Sequence, residues 1–142
     1  MKQCLPGNKK NLELRLTGSN GALQSPEYYP PELYCEWLIT VPDGKKVELT
    51  FERFELDFAT FEYGCSDYVQ IHDGDSSESN TIGSFCGNVI PKPIKSSGRH
   101  MYIRFQADSD YDRPRRGFKA TFKAVEEFRK LLMLKLRLWT TL

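Results

Sequence analysis

The chain has no run of about 18 apolar residues, the length a helix needs to cross a bilayer, so nothing in it reads as a membrane span. It has no excess charge of either sign: 20 lysines and arginines face 19 aspartates and glutamates, a formal net charge of +1. That balance removes the bulk attraction that dominates nucleic-acid and anionic-membrane binding and leaves only local patches. Histidine is scarce, with His72 and His100 alone, and neither sits in a catalytic motif. Cysteine is scarce too, and no two of the four lie in a Cys-x-x-Cys or a similarly close pair, which argues against thioredoxin-like redox chemistry and zinc-thiolate sites. No Asn-x-Ser/Thr sequon occurs. The opening Met1-Lys2-Gln3-Cys4 lacks the apolar stretch of a secretory signal, so any such signal is expected outside this sequence. Helical periodicity is hard to find before residue 125.

What is present is material for one core. The 142 residues suit a single domain, and 13% aromatic side chains with near-zero net charge are the opposite of the disordered signature. Period-two alternation is clear in Leu12–Leu16, Val47–Phe51, Tyr68–Ile71, Met101–Phe105 and Phe118–Phe122, the mark of half-buried strands. Gly18-Ser19-Asn20-Gly21, Pro42-Asp43-Gly44, Asp73-Gly74-Asp75 and Ser96-Ser97-Gly98 supply turn chemistry between them. Many short strands at this spacing predict an all-β antiparallel sandwich or barrel. The acid- and phenylalanine-rich segment from Glu52 to Gly64 reads as a long loop. After Ala124 the turn signals vanish, and residues 125–142 mix leucines with basic residues. That tail reads either as an amphipathic segment or as a frayed or appended end to a domain spanning 1–124. Cys4, Cys35, Cys65 and Cys86 allow three pairings or four free thiols.

Several motifs resemble, in order, those of the CUB domain. Ser25-Pro26-Glu27-Tyr28-Tyr29-Pro30 and Cys35-Glu36-Trp37-Leu38-Ile39 resemble the family's "SP-x-YP … C-x-W-x-I" entry, and Phe51, Phe54 and Leu56 its "F-x-x-F-x-L". Asp67 to Gly74 is similar to "D-x-V-x-I-x-D-G", Phe85-Cys86-Gly87 to "F-C-G", and Gly117 to Phe122 to the closing "G-F-x-A-x-Y". The resemblance implies a two-sheet jelly-roll sandwich with Cys4–Cys35 and Cys65–Cys86 disulfides, hence an extracellular setting, either secreted or as part of a membrane protein.

The resemblance also implies a calcium site. Asp57, Asp67 and Asp108 fall in three separate predicted loops, and calcium takes six to eight hard oxygens from irregular loop geometry. By position in the family pattern these three are the ligands, with Asp110 adding a further oxygen and Tyr29 orienting the cluster. The first ligand is an aspartate where the family more often has glutamate, and Glu62 is the alternative. The implied function is a non-catalytic protein-protein interaction module whose loops a calcium ion orders. Its partner is an extracellular protein offering a lysine or arginine, packed by Phe58, Tyr63 and Tyr111. The basic run Arg113-Pro114-Arg115-Arg116 reads either as a site for an acidic partner or glycosaminoglycan, carried by Arg115 and Arg116, or as a solvated loop. The competing function is a calcium-independent spacer or dimerisation module. An enzyme is disfavoured, since each histidine reads as a sheet-surface residue and no nucleophile has a positioned base.

Overall fold

The structure is a computed structural model that describes residues 2–4, 13–60, 62, 64–108, 115–127 and 135–137. Among the described residues ten strands form two five-stranded sheets. One has the order β1 (Lys2–Gln3), β3 (Asn20–Gln24), β10 (Gly117–Glu126), β5 (Lys45–Glu55), β8 (Ile94–Lys95). The other runs β2 (Glu13–Thr17), β4 (Tyr34–Thr40), β9 (His100–Gln106), β6 (Tyr68–Asp73), β7 (Asn80–Phe85). The expected sandwich is present, and most pairings are antiparallel. Two are parallel, β1 with β3 and β2 with β4, because the Gly18-Ser19 and Pro42-Asp43-Gly44 turns carry the chain from one sheet to the other instead of closing hairpins.

Alternation decides which side chains meet between the sheets. Trp37, Ile39, Val69, Ile71, Met101, Ile103 and Phe105 of one sheet are buried against Leu23, Val47, Leu49, Phe51, Phe118, Ala120 and Phe122 of the other. Phe118 is the hub: its ring lies 5.5 Å from Trp37, 5.7 Å from Phe105 and 5.9 Å from Phe51. Truncating a ring in such a position costs about 3–5 kcal/mol.

The segment expected as a loop from Glu52 onward is strand as far as Glu55. Lys119 pairs with Arg53 and Ala120 with Phe51, so Glu52 is the extra residue of a β-bulge. The bulge resets the phase, and Phe51, Phe54 and Leu56 all stay buried although the first two are three apart. Their rings meet edge to face at 5.3 Å. Ser25 then ties the next loop to the sheet: its hydroxyl accepts the Phe118 N–H at 3.0 Å and donates to the Pro26 carbonyl at 3.1 Å. A side chain on Gly117 (φ +80°) would place Cβ 1.9 Å from that hydroxyl, so both the backbone and the space demand glycine.

Both implied disulfides are present. Cys4–Cys35 links the β1 side of one sheet to β4 of the other, and Cys65–Cys86 links the segments before β6 and after β7. In the chain-entropy model loops of 31 and 21 residues each contribute about 3–4 kcal/mol. β10 runs two residues past the expected domain end at Ala124, and its last residue, Glu126, pairs with Lys45. Of the tail, Lys135 to Arg137 form one exposed helical turn and residues 128–134 and 138–142 lie outside the described residues. His72, expected on the sheet surface, is on that outer face but buried. Its ring packs on Tyr102, and its nitrogens face the Ser79 carbonyl at 2.9 Å and Gln70 Oε1 at 3.0 Å.

Candidate functional site

Register brings three distant acids to one end of the sandwich. β5 ends at Glu55, β6 begins at Tyr68 and β9 ends at Gln106, with Tyr68 opposite Gln106, so Asp57, Asp67 and Asp108 leave the sheets at the same tip. The Tyr28–Leu33 loop closes over them. It turns through left-handed conformations at Tyr28 (φ 53°) and Glu32 (φ 63°), and the Glu32 N–H donates to the Asp108 carbonyl at 2.7 Å. Tyr29 points inward between them, its ring 5.0 Å from Phe105.

Asp67 is the centre of the arrangement. It is only 4% exposed, accepts the Tyr29 hydroxyl at 2.5 Å on one oxygen and accepts the Asp108 N–H at 2.8 Å on the other. Burial pushes its carboxyl above the usual range; the two hydrogen bonds pull it back, and the neighbouring Asp108 carboxyl pushes it up again. Tyr29 is shifted far upward by its own burial first and by the Asp67 bond second, while the Asp57 amide donates to the same hydroxyl oxygen. Among the described residues no lysine, arginine or histidine forms an ion pair with Asp67.

Asp57 has a different neighbour. Its backbone is fixed by the Leu56 N–H to Gly87 carbonyl and Gly87 N–H to Asp57 carbonyl bonds, both 2.9 Å. Its carboxylate meets Arg115 Nη2 at 3.3 Å, and that guanidinium lies 5.3 Å from the Phe58 ring centroid. Arg116 meets Glu27 at 3.2 Å, and Arg53 meets the same Glu27 at 3.3 Å. A glycosaminoglycan would have to draw Arg115 and Arg116 away from these carboxylates. Phe58 is half exposed, as a contact residue requires.

The tip thus unites Tyr29, Asp57, Asp67 and Asp108. Glu62 is exposed at the turn that the paired Thr60 and Gly64 backbones close. Asp110, Tyr63 and Tyr111 lie outside the described residues. Among the described residues no three acidic, histidine or cysteine side chains already stand together as a metal cage. The donor chemistry nonetheless suits a hard cation: a buried carboxylate with no cationic partner among the described residues, a second carboxyl beside it, and a third, Asp57, whose amide reaches the same Tyr29 hydroxyl. The sequence reading missed the Arg115–Asp57 pair and the role of Gly87. The only signal for the first was the β5–β10 register, which no local pattern encodes.

The family model described as "CUB domain" matches residues 12–122, more than three quarters of the chain. The chain belongs to the CUB family. Cubilin from Sus scrofa is 40% identical over 117 residues, covering 78% of this chain and 3% of that protein, so the chain spans only a small part of this relative. Among solved structures, the MASP-1 CUB2 domain bound to Ca2+ is 29% identical, with 78% of this chain and 97% of that one covered at a TM-score of 0.67. The full extracellular region of zebrafish Gpr126/Adgrg6 is 34% identical, with 80% of this chain and 15% of that one covered at a TM-score of 0.66. CUB domains are non-catalytic protein-interaction modules found within larger proteins. No helix among the described residues is long and apolar enough to cross a membrane.

Proposed function

We propose that this CUB domain recognises an extracellular protein through its Asp57–Asp67–Asp108 tip, with one calcium ion shared by these acids. The observation that carries the reading is Asp67, a buried carboxylate held beside Asp108 with hydrogen-bond donors but, among the described residues, no positive charge. A calcium-bound CUB2 domain of similar fold supports it, as do two disulfides and the extracellular relative for the compartment.

In this reading Asp57, Asp67 and Asp108 supply carboxylate oxygens, Asp110 a further oxygen, and water the remainder. Bound calcium supplies two positive charges that offset the carboxylates and cross-link three loops. Tyr29 orients Asp67 and keeps it from turning to solvent. A partner lysine or arginine bonds to a carboxylate lone pair left over at the rim, the short, charge-assisted kind of contact, and Phe58 packs on its stem. Tyr63 and Tyr111 are proposed to extend that apolar rim, Glu62 to replace Asp57 as ligand if the loop folds over, and Arg116 to meet an acidic group of the partner.

Calcium titration followed by thermal melting tests this. At a hundredfold excess over Kd the folded form gains about 2.7 kcal/mol, a rise of roughly 10 °C for a domain of this size. Asp108→Ala abolishes the rise. A wild-type midpoint that does not respond to calcium overturns the reading in favour of the calcium-independent spacer.

A further inference from the structure

We infer that Arg115 is a built-in counterion that holds Asp57 in competition with calcium, so the tip exchanges an arginine-paired form for a metal-bound one. This rests on the calcium reading above. Gly117 pairs with Glu55 in an antiparallel ladder; extending that register two residues sets Arg115 across from Asp57. The pair is therefore a product of the sheet, not of a chance loop encounter.

The contact is built to hold and to yield. The Arg115 side chain is 19% exposed and that of Asp57 30%, so solvent screens the pair only in part. The guanidinium lies over Phe58, which fixes its place. Yet only one nitrogen reaches one oxygen, at 3.3 Å, longer than the 2.7–2.9 Å of a good charge-assisted bond and short of the two-pronged arginine-carboxylate geometry. Arg115 Nε is buried with no acceptor.

Asp57 can serve either side because its backbone does not have to move. Gly87 holds its carbonyl, and its amide donates to the Tyr29 hydroxyl that also binds Asp67. Its charge is felt at that hydroxyl. In the proposed exchange the side chain alone turns, carrying the carboxylate from Arg115 toward Asp67 and Asp108 while the backbone stays anchored at Gly87. Both cations cannot share it cheaply, since a guanidinium and a divalent ion on opposite sides of one carboxylate repel each other. Arg115 thus lowers calcium affinity and sustains the tip when calcium is scarce.

The test is calorimetric titration of calcium chloride into wild type and Arg115→Gln, with melting of both in chelator. Arg115→Gln is expected to bind calcium about three- to tenfold more tightly. In chelator it melts about 2–4 °C below wild type, a gap that closes at saturating calcium. Binding to Arg115→Gln but not to wild type supports the competition and removes calcium from the native function. Equal or weaker binding by Arg115→Gln overturns the competition and leaves the calcium reading intact, and binding by neither overturns both. Should Arg115→Gln fail to fold, Phe58→Ala, which removes the exposed platform beneath the guanidinium, is expected to tighten calcium in the same direction; an unchanged affinity there overturns the inference.

Discussion

Two tyrosine-carboxylate pairs in this domain look alike and are electrically opposite. At the tip, Tyr29 donates to Asp67. On the outer face of the β4–β9 pair, Tyr34 donates to Glu36, and Tyr102 bonds to the same carboxylate. The sheet pair has a cation built in, for Arg104 lies across the ladder from Glu36, touches the Tyr34 hydroxyl and donates to Gln70 Oε1 at 2.6 Å. The tip pair has Asp108 in the corresponding place, a second negative charge. In the outer-face cluster an arginine shares the ladder with the carboxylate; at the tip, among the described residues, no cation pairs with Asp67.

The two clusters are expected to differ most at the hydroxyls. Tyr29→Phe leaves a buried carboxylate short of a donor and is expected to cost about 2 kcal/mol in chelator, against about 0.5 kcal/mol for Tyr34→Phe on its more open face. Equal losses in urea unfolding would remove the distinction. Alkaline unfolding comes next. Burial raises Tyr29, Tyr34 and Tyr102 above the ordinary value of 10.0, so as pH climbs past 10 the unfolded chain releases protons before the fold does. Stability therefore falls with rising pH, by up to about 1.4 kcal/mol per unit for each tyrosine, and Tyr102→Phe is expected to flatten the slope. The smallest effect has opposite signs in the two clusters. In chelator at neutral pH Asp67→Asn is expected to raise stability, because the fold disfavours that charge, and Glu36→Gln to lower it, each on the order of 1 kcal/mol.

What is legible in the sequence follows the range of the forces. Alternation in Met101–Phe105 or Phe118–Phe122 is a local consequence of the pleat, and those strands lie where it put them. Asn20–Gln24 and Asn80–Phe85 carry asparagine and glycine and escaped notice, since neighbouring strands make them strands rather than their own propensity. The "F-x-x-F-x-L" spacing was visible, but its cause, the Glu52 bulge, exists only once β10 is laid beside β5. The convergence of Asp57, Asp67 and Asp108 came from family likeness; their sequence positions alone do not tell three facing acids from three solvated ones. Arg115 was read as part of a basic run because charge in sequence shows sign and not partner.

The direction of the outer strands has a further consequence. β1 runs parallel to β3 and points at the acid tip, whereas β10 runs antiparallel to β3 and leads away from it, ending where Glu126 meets Lys45. β1 thus begins, and β10 ends, at the pole opposite the acids. With the start of β1 and the end of β10 both away from the tip, a partner can approach the acids without meeting either.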